Sequence, residues 1–448
     1  MAATQLERTN GTPTLTTKCT ISVWIKRNGT SIGNGSKDEV IAETYTNDSN
    51  YCFLRLDGND NLQVYGTGIT SVNLNTSGVL RDPNAWYHIV AALDSTESAN
   101  ADKVKLYING IQQTLSGSTF PSSAIGFNNS GSKFNIGKSD RYASHDFDGT
   151  MSHYHFIDGT AYPASTFGST DSVTGQWQIN TSPSVTYGDQ GFFILKDGNS
   201  VTDQSGEGNN LTVSAGTLTK TEDCPSNVFA TMNPLDNKWM NGSFSNGNTT
   251  VTTTSAEYGY NTGTLGASSG KFYWEMKLIQ PVSSTNYVAV GIAGRHPYDA
   301  EGLGYRADAA GYQGNDGKVR LNGTASTYGN SYTTNDIIGV AMDLDNSKLY
   351  FSKNGTWQNS GVPNSGSTGT GAISITAVGS TEAGFYFPAV SDHAGSSWTN
   401  AIFSFNFGNG YFGTTAVSSA GTNASGNGIF EYDTPTGYTA LSTKGLNL

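Results

Sequence analysis

Residues 337–357 read IIGVAMDLDNSKLYFSKNGTW. Two apolar runs, at 337–345 and 348–355, stand on either side of a short polar turn. Runs of this length that are rich in β-branched and aromatic residues, and bounded by Asn, Asp, Ser or Gly, are typical of β-strands. The stretch therefore predicts two neighbouring strands of an antiparallel sheet.

The composition of the 448-residue chain extends this prediction to its whole length. Hydrophobic residues make up 35% and charged residues 13%, against roughly 45–50% and 25% in an average soluble domain. The difference goes to Ser, Thr, Asn and 55 Gly, which are poor in helix interiors and common in turns. Because 11% of the residues are aromatic, general disorder is excluded, and an all-β fold with many turns follows.

The strand signals fall into two series separated by a looser stretch. CTISVWIK (19–26) and WYHIVAALD (86–94) belong to the first series, and FYWEMKLI (272–279) opens the second. Both series have short strands with turn signals at the spacing of β-sandwiches. We therefore predict two antiparallel β-sandwiches in tandem, one over residues 1–225 and one over residues 226–448.

Charge and hydropathy exclude several classes of partner. The formal net charge is -12, from 24 basic and 36 acidic residues, and no basic cluster is present. A nucleic-acid backbone is therefore excluded as a partner, since its binding needs clustered Lys and Arg. No apolar run approaches the roughly 20 residues that span a bilayer, and the N-terminal MAATQLERTN lacks the apolar core of a secretory signal. We expect synthesis in a cytoplasm and no insertion into a membrane.

The first half resembles a known sandwich family. Its motifs are TISVWIKR within residues 19–27, the W-x-H-I-x-x-x-x-D strand at 86–94 and the L-Y-x-N-G hairpin at 103–113. This order resembles the laminin-G-like, or concanavalin-like, jelly roll over about residues 5–215. The resemblance implies a calcium ion bound by loop carboxylates at one rim of the sandwich, and the candidate ligands are Asp94, Asp146 and Asp148.

The second half resembles the SPRY domain over about residues 240–412. The resemblance rests on GKFYWEMKL (270–278), on IFSFNFG (402–408) and above all on the G-V-x-x-D-x-x-x-x-x-L-x-F-x-K-N-G run at 339–355. It continues into the tail FEYDTPTGYTALST (430–443). The resemblance implies a module that recognises a partner with loops at one rim.

The longest loop region of the second half, at 295–317, mixes tyrosines with charged residues. Rigid aromatic rings beside arginines are typical of contact hot spots. We predict binding by six residues: Arg295, Tyr298, Tyr305, Arg306, Asp308 and Tyr312. The alternative is that these tyrosines pack the loop against its own domain. In the first half, Tyr142 is the candidate for an exposed aromatic platform that binds sugar.

Catalytic patterns are absent from the sequence, so no catalytic residue is predicted. A retaining glycosidase on this scaffold needs two carboxylates on one strand, as in E-x-D-x-x-E, and no such string occurs. The nearest pair, Asp343 and Asp345, lies at a strand end, where Asp commonly caps backbone N–H groups. His153 and His155 share one face of a predicted strand and could hold a metal, but a third ligand is not evident, so packing is favoured.

The order of the two domains is itself informative. A laminin-G-like sandwich followed by a SPRY domain resembles virion proteins of marine bacteriophages, usually labelled tail fibre or structural protein. The resemblance implies a non-enzymatic, homo-oligomeric virion protein that contacts other virion proteins and a host cell-surface glycan or protein. The alternatives are a free carbohydrate-binding lectin-like protein, a polysaccharide-degrading enzyme and a capsid decoration protein.

Overall fold

The computed structural model describes residues 3–28, 32–33, 35, 37–196, 200–237, 240–254, 258–281, 287–297, 300–393 and 400–447. The chain folds as two compact units, Met1–Lys220 and Thr221–Leu448, whereas the sequence placed the boundary at residue 225. Both units are almost entirely antiparallel β-structure, which confirms the predicted fold class. Within the described residues, no helix has the length and apolar character needed to cross a bilayer.

The first unit is a sandwich of two large sheets. Its strands are β1 Gln5–Thr9, β2 Lys18–Arg27, β3 Glu39–Asn47, β4 Asn50–Leu56, β5 Asn61–Thr67, β6 Val72–Val79, β7 Trp86–Asp94, β8 Val104–Ile108, β9 Ile111–Gln112, β10 Leu115–Thr119, β11 Lys133–Ile136, β12 Gly149–Asp158, β13 Gly168–Thr170, β14 Trp177–Ile179, β15 Phe192–Ile194 and β16 Thr212–Ala215. The larger sheet has the order β10-β6-β5-β4-β3-β11-β1-β16, and the smaller has the order β15-β12-β2-β7-β8-β9. Helical turns occur at Asn100–Lys103 (α1), Gly126–Asn128 and Ala164–Thr166.

Strand β2 shows how the sequence pattern builds this sandwich. Its alternate apolar residues lie in the core between the two sheets: Cys19, Ile21, Val23 and Ile25. On the opposite face, the Trp24 ring stacks on His88 with 4.8 Å between ring centroids, and Trp177 also stacks on His88, at 5.9 Å. Strand β2 is therefore buried on both faces, and Trp177 of β14 covers the His88 ring on the outer side.

The turn at Asn109-Gly110, between β8 and β9, has the chemistry that the sequence indicated. Asn109 has a φ of +48° and Gly110 a φ of +78°. Two consecutive positive φ values are typical of the tight hairpin turns that match the twist of strands. A side chain at position 110 is excluded, because a Cβ atom there would lie 2.3 Å from the Trp177 ring.

The second unit is also built from two large sheets. Its strands are β17 Ser243–Ser245, β18 Thr250–Thr252, β19 Tyr258–Thr262, β20 Lys271–Gln280, β21 Val288–Ala293, β22 Ala309–Gln313, β23 Lys318–Leu321, β24 Thr324–Thr327, β25 Ile337–Asp343, β26 Lys348–Lys353, β27 Thr356–Trp357, β28 Ile373–Ser374, β29 Phe387–His393, β30 Ile402–Asn406, β31 Tyr411–Phe412, β32 Thr415–Ala416 and β33 Thr439–Ala440. One sheet has the order β17-β18-β30-β20-β25-β26-β27, with β28 beside β26 and β33 beside β20. The other has the order β19-β29-β21-β22-β23-β24. Helical turns occur at Gln358–Ser360, Pro363–Thr368, Val378–Ser380 and Gly445–Asn447.

The stretch at 337–357 forms the predicted pair of strands, β25 and β26. The carboxylate of Asp343 is fully buried, lies 3.1 Å from the Lys271 Nζ atom and accepts the backbone N–H of Asn346 at 3.0 Å. Asp345 accepts the backbone N–H of Gly270 at 2.7 Å. Both aspartates therefore hold turns, which confirms the role the sequence favoured for them.

Segments on both sides of the SPRY-like motifs complete the second core. Phe229 and Met232 from one segment, and Phe430, Tyr438 and Leu441 from the other, belong to one buried cluster with the strands between them. The two segments also pair with each other, since the backbone N–H of residue 230 donates to the carbonyl of Leu441 at 2.9 Å. The tail at 430–441 is thus part of this domain.

A buried glutamate on β20 fixes the start of that tail. One carboxylate oxygen of Glu275 accepts the Tyr273 hydroxyl at 3.1 Å and the backbone N–H of Tyr432 at 2.8 Å. The other oxygen accepts the Asn406 amide at 3.1 Å and the backbone N–H of Glu431 at 2.8 Å. We name this arrangement the Glu275 clip. Burial raises the pKa of Glu275 to about 7, because the four donors offset the loss of solvent only in part.

Candidate binding surfaces

The structure corrects one member of the set predicted in the 295–317 loop region. Tyr312 lies on β22, is fully buried, and stacks on Phe351 with 5.2 Å between ring centroids. Its hydroxyl donates to the carbonyl of Asn330. The predicted contact of Tyr312 with a partner is therefore wrong, because the strand turns this ring into the core. For Tyr312 the alternative interpretation holds, since it packs on its own domain.

Two other members of the set shape the loop. Arg295 is 8% exposed and forms an ion pair with Glu382. Asp308 has a φ of +63°, donates its backbone N–H to Asn322 at 3.1 Å and accepts the backbone N–H of Glu382 at 3.3 Å. These contacts fix the course of the loop. Tyr298 lies outside the described residues.

Tyr305 and Arg306 are the most exposed described members of the set. The Tyr305 ring is 43% exposed, and the guanidinium of Arg320 lies 4.1 Å from its centroid, which is cation–π geometry. Arg306 forms an ion pair with Glu301 at 2.7 Å. A partner that approaches this loop can reach both side chains.

Tyr142 belongs to an aromatic cluster on the outer face of the larger sheet of the first unit. Its ring stacks on Phe53 with 6.1 Å between centroids and meets Tyr51 edge-on at 6.2 Å. The hydroxyls of Tyr51 and Tyr142 are 3.3 Å apart. Tyr65, on the neighbouring strand, lies 6.2 Å from Tyr51. The ring predicted as an exposed platform, Tyr142, is thus half-buried, as is Tyr65, whereas Tyr51 and Phe53 are 8% and 0% exposed.

Two arginines lie on these rings. The Arg141 guanidinium is 4.6 Å from the Tyr142 centroid and 5.5 Å from that of Tyr51. The Arg55 guanidinium is 5.1 Å from the centroids of both Phe53 and Tyr65. We name the group the aromatic-arginine surface, and it consists of Tyr51, Phe53, Arg55, Tyr65, Arg141 and Tyr142.

The sequence analysis missed most of this surface, although the signal was present. Residues 51–56 alternate, and Cys52 and Leu54 face the core between the sheets. The same alternation places Tyr51, Phe53 and Arg55 together on the other face. Positions 51, 53 and 55 therefore carry the signal for this surface, whereas the apolar residues of the core face do not.

A buried glutamate positions the loop that carries Arg141 and Tyr142. One carboxylate oxygen of Glu43 accepts the Asn135 amide and the backbone N–H of Asp140, both at 2.7 Å. The other accepts the Ser139 hydroxyl at 2.6 Å and the backbone N–H of Arg141 at 3.1 Å. We name this arrangement the Glu43 clip. Burial raises the pKa of Glu43, and the four donors lower it in part.

Amide side chains extend the surface along the sheet. The Gln63 amide donates to Asn75 at 2.9 Å and to Asn73 at 3.2 Å, and the Asn75 amide donates to Asp57 at 2.8 Å. Asn73 is exposed and Asn75 half-buried. Burial raises the pKa of Tyr65, so its hydroxyl is protonated at neutral pH. The outer face therefore offers both hydrogen-bond donors and acceptors beside flat rings.

The proposed calcium ligands do not come together. Asp94 ends β7, where its carboxylate lies 2.8 Å from the Lys18 Nζ atom at the start of β2. Asp148 accepts the Asn28 amide at 3.1 Å beyond the other end of β2, and Asp146 lies two residues earlier in the chain. A single site formed by all three is therefore excluded. In the part of the chain that the structure describes, no group of three or more His, Cys, Asp or Glu can hold a metal.

His153 and His155 pack inside the first unit. Strand β12 has an irregularity between Ser152 and His155, and His153 has a φ of +48°. The His155 ring stacks on Phe193 at 4.0 Å, and its Nδ1 atom lies 2.8 Å from the Tyr187 hydroxyl. Burial lowers the pKa of His155, so the ring is neutral. These contacts support the packing role that the sequence favoured over a metal site.

Comparison with known families identifies both units. Residues 3–165 match the concanavalin A-like lectin/glucanases superfamily, in its Laminin_G_3 model, and residues 271–409 match the SPRY domain. Both resemblances deduced from the sequence are confirmed. The segments around 229–232 and 430–441, which complete the second core, lie outside the matched range.

Similar proteins are known for part of the chain. Ran-binding protein 9 of Danio rerio is 31% identical over 90 residues, which are 20% of this chain and 15% of that protein. The Drosophila melanogaster Ran-binding proteins 9/10 homolog is 29% identical over 90 residues, which are 20% of this chain and 9% of that protein. The chain thus spans at most about a sixth of these relatives' length.

Solved structures match a larger share of the chain. The SPRY domain of human HERC1 is 18% identical, with 35% of this chain and 87% of that chain covered and a TM-score of 0.27. The TRIM65 PSpry domain is 14% identical, with 40% of this chain and 91% of that chain covered and a TM-score of 0.30.

Proposed function

We propose that this chain, which carries a concanavalin A-like domain and then a SPRY domain, is a non-enzymatic surface component of a virion that binds a host glycan. Domains of these two kinds are typically non-catalytic. The observation that supports glycan binding is the aromatic-arginine surface of the first domain, and the order of the two domains supports the virion role.

The chemistry of that surface suits a sugar. A pyranose ring has apolar C–H faces and a rim of hydroxyls, so its binding needs flat rings with donors and acceptors beside them. Tyr65 and Tyr142 are partly exposed and supply rings with polar tips, which combine contact area with hydrogen bonding at small entropic cost. Tyr51 and Phe53, 8% and 0% exposed, support these rings from within the cluster. The amides of Asn73 and Asn75 lie on the same sheet face and supply polar partners.

The binding mode follows from the openness of the surface. A half-buried sheet face encloses a sugar less than a deep pocket does, so each contact is weak. Several copies on one particle raise the overall affinity through effective concentration. We therefore propose a homo-oligomer, such as a trimer, in a tail fibre or surface fibre. In this arrangement the exposed Tyr305 and Arg306 of the second domain contact neighbouring virion subunits.

Glycan binding is tested on the full chain. A glycan array with the native protein and with Tyr142→Ala should show selective binding that falls about tenfold or more in the variant, because stacking on the ring is lost. Phe385→Ala is the matched control, since this ring of the second domain is 45% exposed and belongs to neither proposed surface, and it should bind like the native protein. Release of reducing sugar from a bound polysaccharide would instead establish the enzyme alternative. Equal binding by native protein and Tyr142→Ala would reject this surface.

Location is tested by immunogold electron microscopy of the virus particles with antibody against the full chain. Label on the tail or its fibres supports the receptor-binding role. Label over the head supports the capsid decoration protein. Particles without label, from a preparation that contains the protein, reject the virion and leave a free lectin-like protein.

A further inference from the structure

A cleft opens beside Tyr305 on the SPRY domain. Its enclosed space is about 30 Å³, room for one water-sized group, and it lies where β21 begins and β22 and β29 end. Val288 and Leu303 form an apolar wall. Tyr287 and Tyr305, 40% and 43% exposed, stand where the cleft meets solvent.

Asp392, on β29, contributes an unusual carboxylate to this cleft. The residue is 2% exposed, and among the residues that the structure describes neither carboxylate oxygen has a hydrogen-bond partner. Thr253 is near enough to favour the charged form, but its hydroxyl donates to the Ala401 carbonyl at 3.4 Å. A buried carboxylate without a partner destabilises a fold, and such groups concentrate at functional sites.

A second unsatisfied acceptor lines the same cleft. The side-chain oxygen of Asn315 is buried and has no hydrogen-bond partner in the described part of the chain. Together with Asp392 it gives three acceptor atoms, and no Lys or Arg is among the described residues that line the cleft. Burial raises the pKa of Asp392 to about 7, so the carboxylate is about half charged at neutral pH, and a cation bound against it favours the charged form.

We propose that this cleft binds a lysine side chain of a protein partner, with the ammonium group against Asp392 and Asn315. An ammonium carries one positive charge and three N–H donors, which match one carboxylate and three acceptor atoms. The methylene chain of lysine lies along Val288 and Leu303, and the two tyrosines contact the residues that flank the lysine.

Other cations fit this cleft less well. Calcium takes six to eight oxygen ligands, usually with several carboxylates, and the described lining has one carboxylate. An amino sugar presents hydroxyls around its whole rim, for which the apolar wall has no partners. The inference concerns a different domain from the aromatic-arginine surface and does not depend on glycan binding.

Saturation-transfer NMR on the full chain tests the proposal with Nα-acetyl-lysine methylamide as the probe. The native protein should bind it saturably, and the Nε-acetylated analogue, which lacks the charge, should bind at least tenfold more weakly. Asp392→Asn should weaken binding of the charged probe at least tenfold, and Asn315→Leu about threefold, because one acceptor of three is lost. Asp316→Asn is the control, since Asp316 pairs with Lys318 at 2.9 Å outside the cleft, and it should bind normally.

The folding of the key variant is tested separately. Asp392→Asn removes a buried charge that has no partner, so its melting temperature should equal or exceed that of the native protein. Loss of binding in a variant of undiminished stability then supports the site. Failure of the native protein to bind the charged probe, equal binding of the acetylated analogue, tighter binding of glucosamine, or displacement of the probe by calcium would each overturn the proposal.

Discussion

The Glu43 clip and the Glu275 clip use the same kinds of donor, namely an Asn amide, a hydroxyl and two backbone N–H groups, but they hold different segments of the chain. Each glutamate is fully buried, and each of its oxygens accepts one side-chain donor and one backbone N–H, with the two N–H groups coming from consecutive residues. The Glu43 clip holds the loop that carries Arg141 and Tyr142. The Glu275 clip holds the tail that completes the second core. The same hydrogen-bond arrangement therefore positions a binding surface in the first domain and stabilises the fold of the second.

The physical reason for a carboxylate is the same in both places. A chain segment that lies against a sheet without joining it leaves backbone N–H groups without partners. A carboxylate offers about four acceptor sites and makes stronger hydrogen bonds than a neutral group. We therefore expect the loss of a clip to change stability or binding according to the segment that the clip holds.

The largest expected effect is that of Glu275→Gln. The new amide nitrogen faces two donors, so the change should lower the free energy of unfolding of the SPRY domain by about 4 kcal/mol. Differential scanning calorimetry of the full chain measures this as a lower transition temperature. The control is Glu301→Gln, which removes an exposed ion pair and should cost less than about 1 kcal/mol. Equal effects of the two variants would contradict the importance of the clip.

The second prediction concerns pH. The pKa of Glu275 is 4.5 in an ordinary environment and about 7 in the fold, so the folded state binds the proton more tightly. This contribution to stability is complete below pH 4.5 and is lost as the pH rises through about 7. The difference corresponds to about 3 kcal/mol at 1.36 kcal/mol per pKa unit. Denaturant unfolding between pH 5 and 8 measures it, and the slope should be smaller in Glu275→Gln. A slope unchanged by that variant would assign the effect to other groups.

Glu43→Gln should have a smaller effect on stability and a larger one on binding. The loop at 139–142 ends at the surface, so its release should cost about 2 kcal/mol. Because Arg141 and Tyr142 then lose their fixed positions, glycan binding should fall about tenfold, whereas Glu275→Gln should bind like the native protein below its melting temperature. Array binding and calorimetry on the same samples compare the two. Intact glycan binding in Glu43→Gln would separate the clip from the binding surface.

The smallest effect is expected for Tyr142→Phe. The change removes the contact between the hydroxyls of Tyr142 and Tyr51 at 3.3 Å and keeps the ring. Stability should change by less than about 0.5 kcal/mol, and glycan affinity should fall about threefold, since stacking remains and one hydrogen bond is lost. Titration with the best array glycan measures the affinity. A loss as large as that of Tyr142→Ala would show that the hydroxyl, and not the ring, carries recognition.

The sequence contained most of the fold because the fold depends on local patterns. Alternation along 19–26, the turn at Asn109-Gly110 and the paired strands at 337–357 each need only neighbouring residues, and all three are confirmed. The clips, in contrast, depend on residues that are far apart in the sequence. Asp140 is 97 residues from Glu43, and Glu431 is 156 residues from Glu275. From the sequence alone, a glutamate in a strand is expected to face solvent, because the donors that surround it in the fold are not known.

For the candidate site residues too, the sequence predicted exposure where local patterns decide it and failed where distant residues decide it. The sequence indicated Tyr142 as an aromatic platform and Tyr305 as an accessible loop tyrosine, and both are partly exposed. It failed for Tyr312, because a tyrosine repeated along a loop has the same local pattern as one on a short strand. Burial of Tyr312 is decided by β22 and by Phe351, which lies 39 residues further along.

The pairing of flanking segments has a consequence for protein engineering. In the second unit Phe229 pairs with Ser442 through an isolated β-bridge, and in the first unit β1 pairs with β16, so the two ends of each domain lie side by side. A domain with neighbouring ends can be inserted into a surface loop of another protein, or circularly permuted through a short linker, without breaking its sheets. Each domain can therefore be transferred into another protein. In the second domain the cut points must lie before residue 229 and after residue 442, and in the first they must lie before residue 5 and after residue 215.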